Sequence, residues 1–200
     1  MTGRTFDHPF STEGCRWEEA AKVVRNFYGL PPRGPVLPDV LAACMPVEFL
    51  MPESLKQFDP GLQEELCGAH SSSWDAVTLP IPIDGRYWII MNGTKPPTRV
   101  RITMMEELLH VHYGHTPTRL NLAYGKTLKI RTYNKAAEDE AYAVGAALLV
   151  PWRDICFDVN SGVALPLLAE RHGVSEKLVR MRINTTGLTR LYNSRIKAKR

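Results

Sequence analysis

The chain is predicted to adopt an α+β fold: a small antiparallel or mixed sheet, two long helices, and a pair of shorter helices in helix-turn-helix spacing at the carboxyl end. Three observations lead there. Apolar residues recur at helical spacing near both ends of the chain. Short runs rich in β-branched and aromatic residues fall together between residues 76 and 93. A composition of 44% hydrophobic and 23% charged residues over 200 positions suits a globular chain able to bury a full core.

Taken in order, "RWEEAAKVVRNFYG" places Ala20, Val23, Val24 and Phe27 at helical spacing and stops at Gly29, where "LPPRGPVLP" breaks the pattern. A short helix over residues 39–44 leads into "VEFLM", and "AVTLPIPI" and "RYWIIMNG" read as strands. Thr98 is placed to cap a helix that ends near Gly114. After a loop with a strand expected over residues 128–132, "NKAAEDEAYAVGAALLVP" reads as a helix capped by Asn134 and stopped by Pro151. "LPLLAERHGVSEKLVRMRINTTGL" follows as helix, turn, helix, with Ser175 as cap and Gly187 as stop. No apolar run approaches the roughly 18 residues of a membrane span, and the amino end lacks the blocks of a secretory signal, so a cytoplasmic protein with no membrane partner is expected. Cys15, Cys44, Cys67 and Cys156 include no C-x-x-C pair and are expected as reduced, mostly buried thiols.

The segment "RITMMEELLHVHYGH" sets adjacent acids inside an apolar helix. At about 100° per residue, with Glu106 at zero, His110 falls near 40°, Thr103 near 60° and Glu107 near 100°, a polar stripe on a helix built for burial. A buried carboxylate costs several kcal/mol unless it is compensated, and a divalent cation is one candidate partner. In H-E-x-x-H metallopeptidases the two histidines, one turn apart, hold zinc and the first Glu is the general base. Here the string is E-E-L-L-H, with Glu106 in the place of the first His, Glu107 at the base and His110 at the second ligand. The competing reading lines a solvated groove with the two acids and makes His110 a core histidine. On the later helix Glu138 shares a face with Ala141, Tyr142, Gly145 and Leu149, and Glu140 points the opposite way.

The strand "YWIIMNG", the helix with E-E-L-L-H and the helix "EDEAYAVGAALLVP" together resemble the ImmA/IrrE family of metallopeptidases, over roughly residues 15–190. The family's R-F-T-x-x-H-E-x-x-H helix is matched at Arg101, Ile102, Thr103, Glu107 and His110. Its E-x-E-A-N-x-F-A-x-x-L-L-M-P stretch is matched at Glu138, Glu140, Ala141, Leu148, Leu149 and Pro151. The resemblance implies a zincin-like, metal-dependent endopeptidase, with Glu106, His110 and Glu138 as metal ligands and Glu107 as catalytic base. Zn2+ is the expected ion. The departure at Glu106 adds negative charge, hardens the set toward Mn2+ or Fe2+, and lowers the Lewis acidity of the ion. The implied substrate is a helix-turn-helix transcriptional repressor, cut or inactivated in a stress or mobile-element response. Residues 1–160 form the zincin-like metallopeptidase-type domain on this reading, with residues 161–200 as a helical segment and basic tail packed on it. His112 and His115 are candidates for reserve ligands or transition-state hydrogen-bond donors, against the commoner reading of a surface histidine past the helix end with neither role, and Tyr113, Tyr124 and Tyr142 are candidate oxyanion donors, a role left unassigned because a tyrosine beside a core more often packs.

Residues 176–200 hold eight Lys or Arg against the single acid Glu176, a local +7 in a chain whose net charge is +4. Ala169, Gly173, Val174, Ser175, Val179 and Ile183 fall at helix-turn-helix spacing, with Lys177, Arg180 and Arg182 on the second helix where DNA phosphates would be met. The alternative function is therefore a catalytically silent relative that binds a regulator or DNA through these basic helices.

Overall fold

A computed structural model describes residues 7–57, 60–67, 72, 74–78, 83–115 and 134–198. The chain forms two compact units, one of residues 1–37 with 143–200 and the other of residues 38–142. The division falls at 37/38 and 142/143, whereas the sequence suggests a boundary at 160.

The 38–142 unit contains α2 (Pro38–Ala42), β1 (Val47–Leu50), α3 (Pro60–Cys67), β2 (Ala76–Thr78), β3 (Tyr87–Met91), α4 (Pro97–Tyr113) and the first turns of α5 (Lys135–Leu149). The sheet is mixed, in the order β1-β3-β2. β3 pairs parallel to β1, Val47 opposite Tyr87, and antiparallel to β2, Thr78 opposite Ile89. As the central strand β3 buries Ile89, Ile90 and Met91, and Leu66, Trp74 and Ile90 form a core under Leu50 and Val77. The strand "RYWIIMNG" is entered through Asp84 and Gly85, both at positive φ (51° and 77°). An Asp-Gly pair supplies that conformation at little steric cost, and it closes a tight turn with backbone hydrogen bonds both ways between Ile83 and Arg86.

α4 packs Ile102, Thr103, Met105, Leu108 and Leu109 inward. Its start corrects the expected cap: Pro96 is the N-cap and makes no side-chain bond, and Thr98 lies inside the first turn. Proline at the first helical position forgoes an N–H that would be unsatisfied there in any case. Gly114, at φ 63°, closes the other end. α5 is capped as expected, Asn134 Oδ1 accepting from the amides of Ala136 and Ala137 at 3.2 and 3.3 Å. The strand expected at 128–132 lies outside the described residues.

The other unit contains α1 (Thr12–Phe27), the remainder of α5, α6 (Trp152–Asn160), α7 (Leu165–His172), α8 (Glu176–Thr185) and α9 (Thr189–Lys197). α1 starts four residues before the predicted "RWEEAA", because Ser11 caps it by accepting from Gly14 N at 2.9 Å. A Cβ on Gly14 would lie 2.8–2.9 Å from Pro9, Ser11 and the Thr185 carbonyl, so the packing admits glycine alone. The buried face of α1 is Gly14, Trp17, Ala21, Val24 and Arg25, and Val23 and Phe27, expected inside, are exposed. The α7-turn-α8 pair forms as read, with Gly173 at φ 59° and Ser175 Oγ accepting from Leu178 N. α9 is tied down at two points: Tyr192 Oη accepts from Leu165 N at 3.1 Å and Arg195 donates to Asn160 at 2.8 Å. Among the described cysteines Cys156 is buried, Cys15 half-buried and Cys44 exposed. No helix among the described residues is long and apolar enough to cross a membrane.

Candidate active site

The predicted site residues of α4 and α5 lie in the 38–142 unit. Glu107 faces the sheet, where Thr78, buried on β2, donates its hydroxyl to Glu107 Oε2 at 2.6 Å. A charge-assisted bond of that length fixes the carboxylate against the strand. Thr78 lies 29 positions away in sequence, so no local pattern marks it.

Glu106 occupies a different environment. Burial pushes its carboxyl up to about 8; Arg99 opposes the shift, and Glu107, Glu138 and Asp75 add to it. Arg99 sits seven positions earlier on α4, nearly two turns and on the same face, a spacing that the sequence does show. It is shared, however: its guanidinium donates to Asp75 at 2.8 and 3.2 Å. Bonding to Asp75 accordingly holds Arg99 above its ordinary value. Tyr142, one turn beyond Glu138 on α5, is also held above its ordinary range, by burial first and by Glu106 second, and stays a hydrogen-bond donor. Tyr124 lies outside the described residues.

His110 Nε2, on α4, lies 3.9 Å from Glu138 Oε1, on α5. The histidines beyond it diverge. His112 stacks edge-on against Tyr113, and burial lowers its pKa. His115 folds back so that its Nδ1 is 3.0 Å from His110 Nδ1, and its Nε2 meets Glu140 Oε2 at 3.4 Å. Glu140, expected to point away from the site, thus bears on it through His115, which lies past the helix end where helical geometry no longer predicts position.

The donor chemistry suits a divalent cation: an imidazole and a carboxylate approach to 3.9 Å, beside a second carboxyl for which protonation replaces a missing counter-charge. Among the described residues, no three His, Cys, Asp or Glu side chains are gathered closely enough to hold an ion as they stand.

The basic residues of α8 divide. Lys177 and Arg180 are exposed. Arg182 is not available to phosphate, which corrects its assignment: it is 1% exposed, donates Nε to the Val150 carbonyl at 3.0 Å and pairs with Glu18. A helix turns only part of its circumference to solvent, and residue 182 falls on the face of Leu178, Val179 and Ile183.

Residues 68–184, which include α4, α5 and the α7–α8 pair, match the family model described as Peptidase_M78: IrrE N-terminal-like domain. No curated protein matches the chain.

Proposed function

The chain belongs to the Peptidase_M78 family of IrrE N-terminal-like domains, and from that membership we propose that it is a cytoplasmic metal-dependent endopeptidase that cuts a helix-turn-helix transcriptional repressor in a stress or mobile-element response. His110, Glu138 and Glu106 would hold the ion, Zn2+ first and Mn2+ or Fe2+ as alternatives. Bound there, a divalent cation supplies Lewis-acid polarisation of the scissile carbonyl and the attacking water. Glu107 takes a proton from that water as its oxygen bonds to the carbonyl carbon, then delivers the proton to the amide nitrogen as the C–N bond breaks. Thr78 keeps the Glu107 carboxylate oriented for both transfers. The observation that carries the reading is the approach of His110 to Glu138, because it joins the two helices whose motifs the family pairs.

Purified protein incubated with co-encoded helix-turn-helix regulators tests this. The wild type should cleave one of them. Glu107→Gln should keep its affinity for zinc and lose cleavage by roughly 100-fold or more, and Glu138→Ala should lose both. Cleavage retained by Glu107→Gln would assign the base elsewhere.

A second reading, the silent relative that binds a regulator or DNA, draws on the absence of a gathered three-donor set among the described residues and on the exposed Lys177 and Arg180. It requires DNA binding with a steep salt dependence and no cleavage.

A further inference from the structure

A cavity of about 610 Å³ lies wholly within the 1–37 and 143–200 unit, between α1, the loop of residues 32–34 and the start of α6. Small-molecule sites are commonly of that size, largely apolar, with a few polar groups that converge. Ala21, Pro32, Pro151 and Trp152 supply apolar wall here. The polar groups are basic side chains and acids, and their commitments differ.

Some of these charges are engaged. Glu18 pairs with Arg182 and accepts from the Trp152 amide, and Glu19 takes Lys22 at 3.3 Å. Arg25 and Asp154 are neighbours without a bond between them. Arg25 is 5% exposed and donates Nη1 and Nη2 to the carbonyls of Pro31 and Gly34 at 2.7 and 2.6 Å, both neutral acceptors. Glu18 and Asp154 act on its charge through space, and among the described residues no carboxylate is bonded to it. The Asp154 carboxylate, in the first turn of α6 and half-buried, has no bonded cation among the described residues. Arg33 and Arg153, exposed on the same wall, have no bonded acid there.

The cost of taking a charge out of water is offset by a partner that bonds to it. A carbonyl gives a guanidinium part of that compensation. A carboxylate gives more, because its two oxygens match the fork of N–H groups. An anion alone in this cavity would meet Arg25 favourably and Asp154 unfavourably, and an amine alone would meet the reverse. A molecule with both charges on neighbouring groups answers both.

We propose that this cavity binds a free α-amino acid: Arg25, Arg33 and Arg153 take its carboxylate, Asp154 takes its ammonium group, and its side chain lies against the apolar wall. The site uses none of the proposed metal ligands, so it stands apart from the peptidase reading.

Calorimetric titration of the full chain, metal-free and at about pH 7 so that carboxylate and amine are both ionised, tests this with three probes that share one ring. L-Phenylalanine carries both charges, hydrocinnamate the carboxylate alone and phenethylamine the amine alone. L-Phenylalanine should bind about 10-fold or more tightly than either and should raise the Tm. Arg33→Gln and Arg153→Gln, at exposed positions, should each weaken L-phenylalanine and hydrocinnamate by roughly 10-fold and spare phenethylamine. Asp154→Asn should weaken L-phenylalanine and phenethylamine and spare hydrocinnamate. Lys177→Gln, which removes a charge from α8 outside the cavity, should alter none of the three. The proposal is overturned if L-phenylalanine neither produces heat nor raises the Tm, or if either single-charge probe binds as tightly as L-phenylalanine. A loss in Lys177→Gln equal to that in Arg33→Gln overturns it as well, since diffuse charge would then account for the binding.

Discussion

Each unit of the chain buries a charge, and the two do so differently. In the 1–37 and 143–200 unit, Arg182 is sealed from water with a carboxylate partner, Glu18, and a backbone acceptor, the Val150 carbonyl. Burial pushes the Glu18 carboxyl up and the Arg182 guanidinium down, and their mutual attraction opposes both shifts. In the 38–142 unit, the one cation that acts on Glu106 among the described residues is Arg99, which Asp75 already engages, and three further acids raise its pKa. The first arrangement is complete within the chain. The second carries excess negative charge, the condition in which a carboxyl either keeps a proton or takes up a cation. A buried charge with all its partners is structural, and a buried charge short of partners marks a site.

The contrast can be broken by removing the partners. Arg182→Ala takes from Glu18 the cation bonded to it, leaving Arg25 alone to oppose its charge, and takes from the Val150 carbonyl its Arg182 donor, and it should cost about 3–5 kcal/mol in urea denaturation. The double variant Glu18→Leu with Arg182→Met should recover much of that loss. If Arg182→Ala is nearly neutral, the pair is not the closed unit described above.

Glu106 should show the opposite response. Its value of about 8 in the folded chain lies above the ordinary 4.5, so between those two values the folded chain holds a proton that the unfolded chain has released. The stability of metal-free protein should therefore be intact below 4.5, decline as pH rises toward 8, and level off above it. The slope is at most about 1.4 kcal/mol per pH unit. Glu106→Gln should abolish that slope, and zinc should flatten it in the wild type. A wild-type profile that rises with pH across this window would remove the excess negative charge from the comparison.

Thr78→Val sharpens the contrast between the adjacent acids. It deletes the hydroxyl on Glu107 without adding charge and should cost on the order of 1.5 kcal/mol, with cleavage slowed through kcat and KM little changed. The smallest effect is expected from Asn134→Ala, which removes the α5 cap at an exposed position and should cost about 1 kcal/mol, measured as a shift in Tm.

Much of this was legible in the residues. The helix with E-E-L-L-H, the helix capped by Asn134 and the Gly173-Val-Ser turn were marked by spacing and by residues with fixed conformational habits, and the structure has them at those places. The closeness of His110 and Glu138 was legible only through the family pattern. What escaped has a common cause. Thr78 reaches Glu107 across 29 positions, His115 reaches Glu140, far from it in sequence, and Phe27, apolar at helical spacing, is 72% exposed. Periodicity says which residues share a face and is silent on what covers that face.

Local chemistry by itself determined the class of the fold, the order of its main elements, the caps at Asn134 and Ser175, the positive-φ turns at Gly114 and Gly173, and the acidic stripe on α4, because each depends on residues within a few positions of one another. Tertiary packing alone decided which charges are closed and which are left short. Arg182 and Lys177 are both cations on α8, yet one is sealed against Glu18 and the other lies in water. Glu106 and Glu107 are neighbours, yet one is bonded to Thr78 and the other is driven to about 8. Desolvation and Coulomb energy depend on distances in space, and a residue's place along the chain does not fix them.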